Sequence, residues 1–439
     1  MPLTALWANE TRRVRKSARG RASEWDVSVG KARDMKPRLR EIEAQPIEHE
    51  GQSMLLLRDP LQLSETTIAI PRPLAPLLAL MDGTRDEAGL AAALRVRTGV
   101  HLAPGLLSKL LVDLDRACLL DNGHFSEAKE AAIRAFREAP FRPTTTLDGS
   151  GAVADPGRMT ERLQAYVDAL PPQELSPGDQ PLRGLISPHI DYQRGGLVYA
   201  QVWQAAAQAA REAELVVIFG SEIYSSHGKR LRDRQSYATP WGVLPTDAAA
   251  VEALAEALGP EETFREELHH RGEHSIELAA IWLHFVRGGE PVPVVPILCG
   301  RFWEFIGGEG HPARYQPFSV ALDVLRQEMA SRRTLVVAAA DLAHVGPAFG
   351  DPYGLDFVAQ AQLRSADERL LAAIYAGDEE AFFEQLKAEA NRRNVCGIPP
   401  IYLTLRLLGE TVGEPAGYDQ CPADPQGLSF VSIAGVTLR

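Results

Sequence analysis

Four polar clusters, each attached to an apolar run, hold the residue types in this chain that could do chemistry. They are Ser187-Pro188-His189-Ile190-Asp191-Tyr192, Gly272-Glu273-His274-Ser275-Ile276-Glu277, Asp341-Leu342-Ala343-His344 and Cys396-Gly397-Ile398-Pro399-Pro400. His189, held just after Pro188, is placed to act as a metal ligand or general base, because a neutral imidazole does either near neutral pH. His274 stands at a helix start, where the positive end of the dipole favours an uncharged ring and Ser275 is placed to cap. Asp341, three residues before His344, can orient an imidazole tautomer or share its proton. Cys396 also opens a helix, a position that lowers a thiol's pKa and makes it a better ligand or nucleophile. Each cluster alone also fits a bland role: capping, a solvated loop pair, a small buried residue. Chemistry requires that they meet.

The flanking apolar runs supply a reason for them to meet. Arg183-Gly184-Leu185-Ile186 leads into the first cluster and Leu335-Val336-Val337-Ala338-Ala339-Ala340 into the third. Unbroken apolar runs are the mark of buried parallel strands, and ligands bind beyond the carboxyl ends of such strands. Strands are expected at 185–188, 215–220, 292–298, 334–340 and 430–438. Helices are expected at 197–210, 248–258, 275–286, 316–330, 357–375, 380–389 and 401–408. That alternation predicts an α/β domain. A further helix over 157–170 is capped by Asp155-Pro156.

Upstream, Ser53–Arg58 and Thr67–Ile70 read as strands. Helices are expected at Leu74–Met81, Asp86–Val96 and Pro104–Leu119, the last with Leu106, Leu107, Leu110, Leu111 and Leu114 at helical spacing. Helix, tight turn, helix and longer helix is the pattern of a small winged-helix-like module. The domain reading is therefore a disordered extension or mis-assigned start over 1–34, a module over 35–125, a linker over 126–145 that begins with a charged helix at Glu127–Arg137, and an α/β domain over 146–439. The basic stretch Arg12-Arg13-Val14-Arg15-Lys16 has no apolar segment behind it, so it does not read as a secretory signal.

Composition removes several function classes. The chain has 439 residues and a formal charge of −12, which speaks against a broad basic face for nucleic acid. No apolar stretch approaches the roughly 20 residues needed to span a bilayer. Cys118, Cys299, Cys396 and Cys421 are scattered without CxxC spacing, as suits a reducing compartment, with the cytoplasm the default. The three cysteines other than Cys396 read as structural.

Taken in order, Ser-Pro-His189 with Asp-Tyr192, Val-Ile-Phe-Gly220, Tyr-Ala-Thr-Pro240-Trp-Gly, Glu-His274-Ser-Ile-Glu277, Val-Pro-Ile-Leu298, Asp341-Leu-Ala-His344 and Cys396-Gly397 resemble the Memo family, the B component of the AmmeMemoRadiSam set. The resemblance covers about residues 145–439. It implies a fold similar to class III extradiol dioxygenases and a pocket with two His and one Cys able to bind iron or copper. Carried onto this chain, His189 and Cys396 are two of those ligands, and His274, Asp341 and His344 line the same pocket. The family's second His falls on Ile223, which cannot coordinate; His227 or Glu222 is the substitute from the same loop. The family's Trp-Tyr pair is likewise replaced, at Gly149-Ser150-Gly151-Ala152. More loosely, residues 41–123 resemble PqqD-like peptide-recognition domains, through the Asp-Gly-Thr-Arg turn and the alanine-rich helix after it.

Two functions follow from the resemblance. One is a metal-dependent oxidoreductase with His189, Cys396 and His227 or Glu222 on iron or copper, His274 or His344 as base, and Asp341 orienting it. The other is a metal-free scaffold whose pocket holds a small ligand or peptide end while the front module docks a partner. The resemblance implies radical SAM and AMMECR-type proteins as partners.

Overall fold

The computed structural model describes residues 36–144, 155–171, 180–221, 231–232, 235–264 and 266–439. They form two compact units that divide between Arg134 and Ala135. The segment 126–145 carries most of a helix, Gly123–Glu138, which spans that division.

In the first unit three antiparallel strands, Glu43–His49 (β1), Gln52–Arg58 (β2) and Ile68–Pro71 (β3), pair in the order β1-β2-β3. Three helices follow: Ala75–Leu80 (α1), Glu87–Thr98 (α2) and Leu106–Arg116 (α3). Asp86 caps α2 by accepting the Gly89 N–H at 2.7 Å, and Gly99, at φ 74°, closes it in the left-handed conformation. Leu107, Leu110, Leu111 and Leu114 of α3 pack on Leu57, Ile70, Leu77, Leu90 and Leu94. Strand β1 was not foreseen. Its sequence lacks apolar alternation, and it carries Pro46 on a sheet edge, where a missing N–H is tolerated.

The second unit is built on an eight-stranded sheet. Gly184–Ser187 (β4), Leu215–Ser221 (β5), Val294–Cys299 (β9) and Thr334–Ala339 (β10) are its parallel centre, in the order β4-β10-β5-β9. All four carboxyl ends therefore lie on one edge. The remaining sheet strands are antiparallel: Leu231–Arg232 (β6) on β9, Phe430–Leu438 (β13) on β4, and His344–Val345 (β11) and Gly413–Pro422 (β12) on β13. The sheet is thus mixed around a parallel centre. A small hairpin, Tyr237–Thr239 (β7) and Gly242–Leu244 (β8), stands apart from it.

Helices cover both faces, and the two-residue period of the strands decides which side chain goes where. Leu185, Val216, Ile218, Val294 and Val337 point to a layer that includes Tyr192–Ala205 (α4) and Ser275–Val286 (α5). Ile186, Val217, Phe219, Val295 and Val336 point to the opposite layer, with Gln316–Met329 (α6), Phe357–Tyr375 (α7) and Ile398–Leu408 (α8). Burial on both faces explains why these strands read as continuous apolar runs. No helix among the described residues is long and apolar enough to cross a membrane.

Candidate functional site

Two of the four clusters are delivered by sheet ends and two by helix starts. Beyond β4, Pro188 turns the chain and His189 follows; beyond β10 comes Asp341. The Asp341 carboxylate accepts the His189 N–H at 2.7 Å and the Ile190 N–H at 3.2 Å, and its second oxygen lies 3.9 Å from His189 Nδ1. The backbone carbonyl of Asp341 accepts the Gly397 N–H at 3.1 Å. Asp341 therefore holds both the imidazole loop and the thiol loop. The result is a contact of 3.0 Å between His189 Nε2 and Cys396 Sγ.

Two glycines permit this convergence. A Cβ on Gly397 would lie 2.5 Å from the Asp341 carbonyl oxygen and 2.8 Å from Ala340 Cβ. One on Gly220, near the end of β5, would lie 2.4 Å from Ser275 Oγ and 2.6 Å from Ile276 Cγ1. The first absence lets the Cys396 loop sit on the end of β10; the second lets α5 approach β5. That approach brings the His274 ring to 5.3 Å from the His189 ring, tilted by 58°.

The start of α5 differs from the expected cap. His274 occupies the cap position, and the Glu273 carboxylate accepts the Ile276 N–H at 2.9 Å. Ser275 instead donates to Glu273 at 2.9 Å and accepts the Ser221 N–H at 3.0 Å, stitching helix to strand. Beneath this turn lies Arg142, fully buried. Its guanidinium pairs with Glu277, donates to the His270 and Glu273 carbonyls, and lies 3.8 Å from the Glu273 carboxylate.

The loop before Cys396 is held by Asn391, whose side chain accepts the Val395 N–H at 2.9 Å and donates to the Val395 carbonyl at 3.2 Å. Ala390, Asn391 and Asn394 adopt φ of 52°, 46° and 48°. Sequence reasoning passed over Asn391, Asn394, Ser221 and Arg142. The two asparagines carried a usable signal, since Asn visits the left-handed region more readily than most residues; Arg142 carried none beyond its place in Pro140-Phe141-Arg142-Pro143.

His344 lies in the same cavity, its ring edge-on to Phe349 at 5.2 Å. It makes no hydrogen bond with Asp341, whose carboxylate is engaged at His189, and its Nδ1 is buried without a partner. Asp341 thus orients His189, not the base residue for which that role was expected.

Burial dominates the electrostatics. It pushes the His189 pKa down to about 3, with His274 adding to the shift. Burial also lowers His344, against the pull of Asp341. Cys396 is pushed strongly up, by burial and then by the Asp341 charge. The expected acidic thiol is therefore reversed: desolvation outweighs the nearby helix start. Burial raises Asp341 as well, although His344 and the two backbone N–H groups oppose it. Cys396 Sγ lies 3.0 Å from His189 Nε2 and donates to the Asp341 carbonyl at 3.7 Å. His189 Nδ1 has no hydrogen-bond partner and faces Asp341.

These groups line one cavity of about 800 Å³, whose walls include Leu278, Phe302, Ile306 and Phe349. Five of the six predicted residues, His189, His274, Asp341, His344 and Cys396, are thereby gathered. The sixth, His227, lies outside the described residues, as do Glu222, Ile223 and positions 149–152. Among the described residues no group of three His, Cys, Asp or Glu side chains is arranged to hold a metal ion. The imidazole–thiol pair sets a borderline nitrogen beside a sulfur.

The profile of a family described as "Memo-like protein" matches residues 144–435. A MEMO1 family protein of Aquifex aeolicus is 26% identical over 410 residues, covering 92% of this chain and 99% of its own. Such coverage is reached only by including most of the residues before position 144. A MEMO1 family protein of Thermus thermophilus is 29% identical over 320 residues, 72% of this chain and 88% of its own. The protein memo-1 homolog of Caenorhabditis elegans is 27% identical over 228 residues, 51% of this chain and 60% of its own.

Proposed function

The chain belongs to the Memo-like protein family, and from that premise we propose that its cavity is a metal-dependent oxidoreductase site, of dioxygenase-like fold, acting on a small ligand. The single observation behind this reading is the 3.0 Å approach of His189 Nε2 to Cys396 Sγ inside a cavity at the carboxyl ends of parallel strands. Imidazole and thiolate together favour iron, copper or zinc over magnesium. His189 and Cys396 would hold an iron or copper ion, with a further ligand from His227 or Glu222. Such an ion supplies a Lewis-acidic, redox-active point beside the bound ligand.

The chain's own residues account for the rest. Asp341 fixes His189 through its backbone N–H and faces the ring's other nitrogen, the way an outer carboxylate orients a ligating imidazole. His344, held neutral by burial, is able to accept a proton from a ligand in the cavity, and His274 is the second candidate base. Cys396 must release its proton to ligate, so metal affinity rises with pH. Metal analysis after anaerobic reconstitution tests the reading. About one ion per chain is expected in the wild type and far less in Cys396→Ala and His189→Ala; no stoichiometric metal in the wild type rejects it.

A second reading is a metal-free binding protein, favoured by the lack of a three-ligand group among the described residues and by Ile223. In it the cavity holds a small ligand or peptide end, and residues 35–125, a winged-helix or PqqD-like module, dock a peptide or radical SAM and AMMECR-type partners. Ligand affinity unchanged by chelator or by Cys396→Ala would select this reading.

A further inference from the structure

Among the described residues, Arg301 is the charged side chain on the cavity wall that no carboxylate or acceptor answers. It follows β9 by two residues, is half-buried and lines the same cavity as His189 and Cys396. Among the described residues no carboxylate pairs with it and no acceptor takes its N–H groups; the Trp303 ring lies 5.6 Å from its Cζ. The other charges on the wall are engaged. Arg194 pairs with Asp191 at 2.6 Å and donates to the Pro422 carbonyl at 3.3 Å. Asp341 accepts two backbone N–H groups.

A guanidinium drawn out of water without an acceptor is costly, and its planar fork matches a carboxylate through two parallel hydrogen bonds. Leu278, Phe302 and Ile306, all buried, and Phe349 give the same cavity an apolar stretch of wall. A cavity of about 800 Å³ suits a small molecule. The Arg301 charge is felt at Cys396, where it opposes the effect of burial on the thiol, so a group bound at Arg301 is within electrical reach of the His–Cys pair.

We propose that the cavity takes a small monocarboxylic acid with an aromatic or aliphatic body, its carboxylate on Arg301 and its body against Leu278, Phe302, Ile306 and Phe349. One uncompensated guanidinium answers one negative charge, and the apolar stretch of the wall favours an apolar body over a polar one. This inference rests on the reading that the His189–Cys396 cavity is the functional site, and it names the ligand class of that site.

Calorimetric titration of the full-length, metal-free protein with benzoate and with benzamide tests it, since the two differ in charge but little in shape. Benzoate is expected to bind at least about tenfold more tightly than benzamide, the difference a charge-assisted bidentate contact makes. In Arg301→Gln, checked by circular dichroism for an unchanged fold, the two affinities should come within about twofold while that for benzamide stays the same. Equal affinities in the wild type, a preference that survives Arg301→Gln, or no binding of either at millimolar concentration overturns the proposal. Metal content of the same protein after anaerobic reconstitution reports separately. A full complement of metal without benzoate preference overturns the carboxylate alone; benzoate preference without any metal overturns the oxidoreductase reading alone.

Discussion

Asp341 holds His189 through a 2.7 Å hydrogen bond from the imidazole residue's own backbone N–H, while the neighbouring Ile190 N–H takes a longer bond to the same oxygen. Removing that acceptor strands two buried donors, each worth roughly 1–3 kcal/mol. Asp341→Ala should destabilise the protein by about 2 kcal/mol or more, read from urea unfolding. Asp341→Asn keeps an acceptor oxygen for the two N–H groups, so it should cost less than about 1 kcal/mol. Equal losses in the two variants would refute the backbone role.

The pH dependence of the metal-free protein carries a signature of His189. Its folded pKa, about 3, lies below the ordinary histidine value, so the unfolded chain binds the extra proton first. The stability this represents is complete above pH 6.5 and is lost as pH falls towards 3, roughly 3 kcal/mol by pH 4.5. Lowered His344 acts in the same sense. Raised Asp341 and Glu273 act in the opposite one, their contribution being lost as pH rises through their folded values. The difference between wild type and His189→Asn across pH 8 to 4.5 isolates the imidazole. A parallel pair of stability curves would show that His189 is not held neutral.

Gly397 and Gly220 should tolerate alanine badly, for reasons of space and not of backbone angle. At Gly397 the obstacle is a backbone carbonyl, which cannot rotate away. Overpacking of this kind typically costs about 1–3 kcal/mol, and in Gly397→Ala it should also displace Cys396 from His189. Gly307, with nothing within 4 Å of the added carbon, is the control and should accept alanine nearly neutrally. Thermal melts of the three variants decide; a Gly397→Ala protein as stable as Gly307→Ala would sink the close-approach account.

Arg142→Ala should cost about 3–5 kcal/mol, because it leaves the buried Glu273 and Glu277 carboxylates without their cation. The charge is held firmly on the guanidinium: burial opposes it, and the two glutamates more than restore it. Denaturant titration of Arg142→Ala gives the number, and a loss under about 1 kcal/mol would mean that the pair is solvated.

The parallel centre of the sheet was legible because strands buried on both faces leave continuous apolar text, as in Leu335 to Ala340. Helices with a cap or a clean period were legible too: α2 behind Asp86, α3 with its leucines. Strands β1 and β12 were not, since edge and half-exposed strands carry Pro46, Pro415, Glu414 and Asp419 where no burial demands apolar residues. The gathering of His189 and Asp341 could be inferred from their positions beyond strand ends, and that of Cys396 from its place at a helix start. Partners could not. Which imidazole Asp341 serves, the reversed acidity of Cys396 and the solitude of Arg301 depend on three-dimensional burial, which spacing along a chain does not encode.

Strand β4, which presents His189, takes its outer neighbour from β13, where Val436 pairs with Ile186 across roughly 250 residues of intervening chain. During synthesis that flank of β4 waits bare until the ribosome has made nearly everything between. A nascent chain therefore exposes an aggregation-prone ridge for most of its time on the ribosome, and any truncation that removes β13 leaves His189 mounted on an unfinished sheet.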